Sequence, residues 1–126
     1  MKVLVTGATG FTGSRVIPLL IHNGFNIRCL SRSTSDRTPL SALTVEWATG
    51  DLSNSESLTS AMHGVDALVN IASLGFGHAD NIISAAKAAG IKRALFISTT
   101  AIFTQLNAGS KSVRLAAEDA IHSSGL

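Results

Sequence analysis

Several residue types are rare or absent in this chain of 126 residues. It has one cysteine, Cys29, which excludes an internal disulfide; its position in a predicted strand favours a buried, unreactive thiol, and a reducing cytoplasm is the expected location. It has no tyrosine, so no phenol is available as an acid or a base. Only 14% of the residues are charged, yet no apolar run approaches the about 20 residues that a membrane-spanning helix needs.

The charge of the chain is also small and scattered. The formal net charge is +2, and the longest basic run is the pair Lys92-Arg93. Because a nucleic-acid-binding domain usually carries a basic stripe, nucleic acid is not expected as a partner. No metal site is predicted either, because the four histidines have no cysteine or carboxylate at ligand spacing; they are His22, His63, His78 and His122.

Apolar residues make up 45% of the chain, and they occur in short runs that alternate with helical patterns. Strands are predicted at residues 2–6, 26–31, 44–49, 66–71 and 93–98, and helices at residues 12–23, 54–63, 77–89 and 110–124. This alternation predicts an α/β fold with a doubly wound, parallel, Rossmann-like sheet in the order 3-2-1-4-5 and helices on both faces. The length predicts a single domain over residues 1–126.

A glycine-rich turn, Thr6-Gly7-Ala8-Thr9-Gly10-Phe11-Thr12-Gly13, connects the first predicted strand to the first predicted helix. In this position the motif predicts a dinucleotide-binding turn. Gly7 would make the tight turn, Gly10 would let the backbone approach a pyrophosphate, and Gly13 would let the helix pack close to the sheet. The unpaired N–H groups of the helix would face the phosphates. The alternative is an ordinary turn between a strand and a helix.

The end of the second predicted strand bears on the choice of cofactor. NAD-preferring folds usually place an acidic residue there to bind the ribose 2′-hydroxyl, whereas this chain reads Leu30-Ser31-Arg32-Ser33. A guanidinium such as that of Arg32 suits a 2′-phosphate, and Ser31, Ser33 and Arg37 could assist it. The sequence therefore favours NADP, with NAD possible. The alternative is that Arg32 is a solvated loop residue.

The string T-G-A-T-G-F-T-G resembles the short-chain dehydrogenase/reductase superfamily, and especially its extended and atypical branches, the NAD-dependent epimerases/dehydratases and the NmrA-like proteins. The resemblance covers the N-terminal, cofactor-binding part of such proteins, so the chain is expected to lack the C-terminal substrate part. It implies that the turn supplies cofactor contacts through Gly7, Thr9, Gly10, Phe11, Thr12 and Gly13.

The resemblance extends to two later segments. Gly50-Asp51-Leu52 is similar to the segment in which an aspartate contacts the adenine amino group and the next residue flanks the ring. The other interpretation of Asp51 is a helix cap, and the two roles are compatible. Ile71 and Ala72, at the end of the fourth strand, resemble the backbone that packs against the cofactor ribose. The loop of residues 74–77 would then line the nicotinamide side, or merely permit a turn.

The catalytic part of the resemblance is incomplete. Residues 96–103 resemble the segment S-S-x-x-V-Y-G, with Thr99 at the catalytic Ser/Thr position and Thr100 as the alternative if the register differs. Small hydroxyl residues that merely cap the strand are the other interpretation. The family's catalytic tyrosine is missing: counting back from the tail of the chain places Ser110 where tyrosine is expected. A serine hydroxyl is far too basic to replace the phenol without an activating partner.

The same count places Arg114 where the family has its ribose-binding lysine. Arg114 would therefore hold the ribose or a phosphate of the cofactor. The other interpretation is an exposed helix residue that pairs with Glu118 at i+4.

Two functions follow from these observations. The first is the cofactor-binding domain of an atypical short-chain dehydrogenase or epimerase-like oxidoreductase, acting on a small-molecule substrate that Thr99 orients. The second, favoured by the missing tyrosine, is an NmrA-like regulatory protein that senses NADP and acts through a protein partner. In either case, the fifth strand would be an apolar sheet edge over residues 94–98, which predicts a homodimer unless residues 102–109 cover that edge.

Overall fold

The computed structural model describes residues 1–98 and 109–126, with the side chains of residues 109 and 110 excepted. A five-stranded parallel sheet in the order β3-β2-β1-β4-β5 forms its centre. The predicted fold class and strand order are therefore confirmed. The strands are β1 (Lys2–Thr6), β2 (Asn26–Ser31), β3 (Glu46–Thr49), β4 (Ala67–Asn70) and β5 (Arg93–Phe96).

Helices follow most of the strands along the described chain. They are α1 (Phe11–His22), α2 (Ser55–Ala61), α3 (Ala79–Ala88) and α4 (Gly109–Ser123), with short 3₁₀ helices at Thr38–Leu40 and Leu74–Phe76. None of the helices in the described ranges combines the length and the apolar character that a membrane crossing requires.

The core lies in two layers, one on each face of the sheet. Because successive side chains of a strand point to opposite faces, Leu4 of β1 packs on one side and Val3 and Val5 on the other. Leu4 belongs to the layer under α2 and α3, with buried partners that include Leu58, Met62, Leu68 and Ile82. Val3 and Val5 belong to the layer under α1, with Ile17, Ile27, Cys29 and Leu40.

Cys29 is fully buried in β2, as its position in a predicted strand indicated. Burial raises the pKa of its thiol to about 11, while the nearby positive charge of Arg37 opposes the shift. The thiol is therefore protonated at neutral pH. Since the thiolate is the reactive form, Cys29 is unreactive in the folded chain.

Because every strand is parallel, all five carboxyl ends lie at the same edge of the sheet. The polar ends of β1, β2 and β4 meet there: they are Thr6, Ser31 and Asn70, and all three side chains are buried. In open α/β sheets, ligands bind at this edge, beside the strand where the order of the chain reverses. Here that strand is β1, and the loop after it is the glycine-rich turn.

Candidate functional site

A pocket of about 570 Å³ opens at the carboxyl edge of the sheet. Its walls come from four segments: the turn after β1, the end of β2, the segment after β3 and the segment after β4. The volume falls in the usual range for small-molecule and cofactor sites. Seven of the predicted cofactor-binding residues line it, namely Gly7, Thr9, Ser31, Arg32, Asp51, Leu52 and Ala72.

The other predicted site residues lie beside this pocket or outside the described chain. Gly10 precedes α1, and Phe11, Thr12 and Gly13 form its first turn, next to the pocket. Ile71 and Arg114 are set back from its walls. Thr99 and Thr100 lie outside the described residues, as does the side chain of Ser110.

Gly7 makes the tight turn that the motif predicted. Its φ angle is +67°, in the left-handed region that glycine adopts without strain. A Cβ atom at this position would also lie 2.7 Å from the backbone nitrogen of Ala72. Glycine is thus required both by the backbone conformation and by the close approach of the segment after β4.

Gly13 has a different role from the predicted one. A Cβ atom there would lie 2.1 Å from the carbonyl oxygen of Gly7 and 2.7 Å from that of Ala8. The missing side chain lets α1 pack against the backbone of the turn. The prediction that Gly13 permits close packing on the sheet is therefore corrected, because the surface it contacts is the turn.

The N-terminus of α1 is open to an anion. Gly10 is its N-cap and no side chain caps the helix, while the first turn contains no acidic residue. Arg15 donates from Nη1 to the carbonyl oxygen of Phe11 at 2.8 Å and places its guanidinium 3.7 Å from the centre of the Phe11 ring. Unpaired N–H groups and the helix dipole favour a negatively charged group at this position.

Thr6 and Asn70 form a buried polar connection that the sequence analysis missed. The Thr6 hydroxyl donates to Asn70 Oδ1 at 2.6 Å, and Asn70 Nδ2 donates to the carbonyl oxygen of Ala72 at 3.0 Å. The backbone N–H of Ala72 donates to Thr6 Oγ1 at 3.3 Å. These bonds fix the pocket wall after β4. In the sequence, the only sign of this connection is that each of the two apolar strands ends in a polar residue.

Two arginines in the segment after β2 differ in their contacts. Arg37 donates from Nη2 and Nε to Ser31 Oγ, at 3.0 and 3.2 Å, and its guanidinium lies 4.6 Å from the centre of the Trp47 ring. Arg32 is exposed on the pocket wall, and within the described chain its guanidinium makes no hydrogen bond. Arg32 is thus available to a ligand, while Arg37 holds the Ser31 hydroxyl in place.

Asp51 stabilises the turn that follows β3. Its Oδ1 accepts from the hydroxyl of Ser53 at 2.7 Å and from its backbone N–H at 2.9 Å. These bonds hold the pKa of the Asp51 carboxyl below its usual value, and the charges of Arg32 and His78 lower it further. The N-cap of α2 is Asn54, whose Oδ1 accepts from the backbone N–H of Ser57, so the interpretation of Asp51 as the helix cap is wrong.

His78 also lines the pocket, although the sequence showed only an isolated histidine. It belongs to the segment of residues 73–78, called here the β4–α3 wall, which contributes Ser73, Phe76 and His78 to the pocket. No local motif marks His78, because its place depends on how the wall crosses the edge of the sheet. Among the described residues, no group of His, Cys, Asp and Glu side chains is arranged to hold a metal ion.

Arg114 projects from α4 onto this wall. Its Nη2 donates to Ser73 Oγ at 3.1 Å. The alternative interpretation, an exposed arginine paired with Glu118, is wrong, because Arg114 is half-buried with its Nε atom fully buried and its guanidinium contacts Ser73.

Residues 7–126 match the model of the NAD(P)H-binding family. The chain belongs to this family. The resemblance to the short-chain dehydrogenase/reductase superfamily is thereby confirmed.

Curated relatives of this NAD(P)H-binding chain are reductases in several cases. A putative dihydroflavonol 4-reductase of Synechocystis is 32% identical over 111 residues, which cover 77% of this chain and 32% of the relative. An NAD(P)H azoreductase of Xenophilus azovorans is 34% identical over 103 residues, which cover 79% of this chain and 35% of the relative. The chain thus spans about a third of the length of these relatives.

Solved structures agree with the family assignment. The NADPH-dependent quinone oxidoreductase QOR2 of Escherichia coli, complexed with NADPH, has a TM-score of 0.84 and 29% identity over 98% of this chain and 46% of its own. The Bordetella bronchiseptica enzyme WbmH, in complex with NAD⁺, has a TM-score of 0.82 at 20% identity over 99% of this chain and 52% of its own, which supports the fold alone. The domain is thus an NAD(P)-binding domain like those of oxidoreductases.

Proposed function

We propose that this chain is the cofactor-binding part of an atypical short-chain dehydrogenase/reductase and that it binds NADP(H) in preference to NAD(H). The observation that carries the preference is Arg32, exposed on the pocket wall at the end of β2 where NAD-preferring folds place a carboxylate. A guanidinium can form two parallel hydrogen bonds to a phosphate, and it gains much less from a ribose hydroxyl.

The geometry of the pocket fits a dinucleotide. The adenine would lie against Asp51 and Leu52, and the pyrophosphate would lie at the open N-terminus of α1. Because Gly7 has no side chain, the turn after β1 lies close to the segment after β4, and these two segments form adjoining walls of the pocket. When bound, the nicotinamide group supplies a hydride to a substrate, or accepts one from it.

Arg32→Ala should abolish the preference for NADP(H). A charge-assisted hydrogen bond contributes about 1.5–3 kcal/mol, so we expect wild-type protein to bind NADPH about tenfold or more tightly than NADH. Isothermal titration of both cofactors against wild type and variant measures this ratio. Arg93→Ala is the matched control. Arg93 is the first residue of the outer strand β5, so it lies at the end of the strands away from the pocket, and its removal changes the net charge equally.

Two results would contradict the NADP preference. Wild-type protein could bind both cofactors with equal affinity, or Arg32→Ala could leave the ratio intact. A parallel loss in Arg32→Ala and Arg93→Ala would show an effect of net charge and would equally contradict a specific contact.

The absence of tyrosine favours a second candidate, a regulatory protein that senses NADP(H) and acts through a protein partner. Without the phenolic base, we expect the isolated chain to show no appreciable oxidation of NADPH by carbonyl substrates. Loss of NADPH absorbance with a panel of aldehydes, ketones and quinones tests this expectation. Robust turnover would support an enzyme with a small-molecule substrate. Turnover that survives Thr99→Ala and Ser110→Ala would show that the reactive groups lie elsewhere.

A further inference from the structure

The β4–α3 wall is held at both ends by contacts with other segments. Beyond its α3 end, Asn81 Nδ2 donates to the carbonyl oxygen of Leu52, at 3.0 Å, in the segment after β3. At its β4 end, Arg114 of α4 donates to Ser73. Because Leu52 and Ser73 both line the pocket, these contacts determine where the wall stands relative to a bound cofactor.

Arg114, Ser73 and Gly75 form one hydrogen-bonded cluster. Ser73 Oγ accepts from Arg114 Nη2 at 3.1 Å and from the backbone N–H of Gly75 at 3.1 Å. A Cβ atom on Gly75 would lie 2.9 Å from Arg114 Nε and 3.0 Å from Nη2. The absence of a side chain at position 75 therefore creates the space in which the guanidinium lies.

Apolar packing holds α4, the helix that contains Arg114, against the wall. Leu74 of the wall, Ala79 of α3 and Ala117 of α4 form a small buried cluster, against which Phe96 and Ile121 pack. Ala117 lies one turn after Arg114 on the same face of α4. The wall and α4 are thus joined by an apolar contact and by a polar one.

Arg114 itself is set back from the pocket. It is not one of the lining residues, and its Nε atom is buried without a hydrogen-bond partner in the described chain. A buried donor left unpaired has a cost in free energy, which the surrounding contacts must outweigh. The hydrogen bond that the guanidinium does make is to Ser73 of the wall, although the resemblance implied a contact with the cofactor.

We propose that Arg114 is a positioning residue: it holds the β4–α3 wall through Ser73 and so shapes the cofactor pocket without contacting the cofactor. The inference rests on the pocket of the proposed function but is independent of the preference for a 2′-phosphate. Removal of Arg114 should therefore weaken the binding of NADPH and NADH by the same factor.

The test is a double-mutant cycle in cofactor affinity. Arg114→Met, Ser73→Ala and the double variant are titrated with NADPH and with NADH. We expect Arg114→Met to weaken both by about three- to tenfold, the size of one ordinary hydrogen bond, because the lost contact acts on the cofactor only through the wall. In the Ser73→Ala background the same change should have almost no further effect, because contacts that act through one another are not additive. Arg93→Met is the matched control and should bind both cofactors as wild type does.

Gly75→Ala provides an independent variant that leaves the charge in place. Its methyl group would displace the guanidinium, so it should weaken both cofactors as Arg114→Met does. The backbone amide at position 75 donates to Ser73 Oγ, and its hydrogen exchange should accelerate in Arg114→Met and in Gly75→Ala while the amides of β1 stay protected. A general loss of stability would accelerate both sets of amides. If Arg114→Met does not fold, Gly75→Ala carries the test.

Three results would overturn the inference. Affinities could be unchanged in both variants, the losses of Arg114→Met and Ser73→Ala could be additive, or the β1 amides could exchange as fast as that of Gly75. Failure of the proposed NADP preference has a different signature, because wild type would then bind both cofactors equally while Arg114→Met still weakened both.

Discussion

Individual glycines in the turn after β1 are required for different physical reasons. Gly7 has a positive φ angle and contacts the backbone of Ala72, whereas Gly13 lies against the carbonyl oxygens of the turn. Gly10 is unlike both, since its φ angle is −80° and the nearest atom to a Cβ would be the carbonyl oxygen of Gly7 at 3.5 Å. The folded protein therefore has room for a Cβ atom at Gly10.

Gly10→Val should abolish cofactor binding and leave the fold intact. The added side chain would start from a Cβ atom whose nearest neighbour beyond the adjacent residues is 3.5 Å away, and it would occupy the space in front of the α1 N-terminus that a pyrophosphate needs. Titration with NADPH and circular dichroism test the two halves of this expectation. Binding by a well-folded Gly10→Val protein would mean that the phosphates lie elsewhere.

Some residues of the site could be predicted from sequence and others could not. The glycine motif and Arg32 are recognisable because their roles depend on residues adjacent in the chain. The contact between Arg114 and Ser73 joins positions 41 apart, and the Thr6–Asn70 bond joins positions 64 apart. Such contacts are fixed only when the sheet brings the strand ends together, so no local pattern reveals them.

Among the elements, every predicted helix and strand is found, and the differences lie at the ends. The third helix was predicted to begin at residue 77 but begins at Ala79, because Leu74–Phe76 forms a 3₁₀ helix that ends at Gly77 with a φ angle of +80°. No element was predicted between residues 31 and 44, yet this stretch contains the 3₁₀ helix Thr38–Leu40, which buries Leu40. Elements this short have too few residues to show a period.

The contact between α1 and the turn predicts a sharp effect of a single methyl group. Gly13→Ala would place Cβ 2.1 Å from the carbonyl oxygen of Gly7, so α1 must shift away from the turn. We expect the free energy of unfolding to fall by about 1–3 kcal/mol, as for other overpacked sites. Urea denaturation measures it.

Gly10→Ala is the matched control for this packing effect. It adds the same methyl group three residues earlier, where only an ordinary contact at 3.5 Å results. Its stability should lie close to that of wild type. If both variants lost equal stability, glycine entropy and helix capping, not the packing of α1 on the turn, would account for the loss.

At the scale of the whole molecule, β5 forms the outer edge of the sheet in the described chain. Leu95 is 52% exposed and Ile97 is 44% exposed, and both side chains point to the same face because strand side chains alternate. Unpaired edge groups beside apolar side chains favour association with another chain. The predicted covering segment, residues 102–109, lies almost wholly outside the described residues.

We therefore propose that the chain forms a homodimer through the β5 side. Light scattering at tens of micromolar should give twice the monomer mass of 13.0 kDa. A charged residue on an edge strand opposes pairing, so a Leu95→Lys/Ile97→Lys double variant should be monomeric. Ser60→Lys, on the exposed side of α2, should remain dimeric. Wild-type protein that scatters as a 13.0 kDa monomer would disprove the dimer.

The burial of Cys29 has a practical consequence for measuring motions of the sheet. It is the sole thiol of the chain, and β2 lies between β1 and β3, so an alkylating reagent can reach it only when the sheet opens. The alkylation rate, divided by that of an unfolded peptide, gives the free energy of this opening without any added probe. Cofactor that binds only the closed form should slow the alkylation. The alkylation rate of Cys29 therefore measures both the opening of the sheet and the binding of a cofactor at its carboxyl ends.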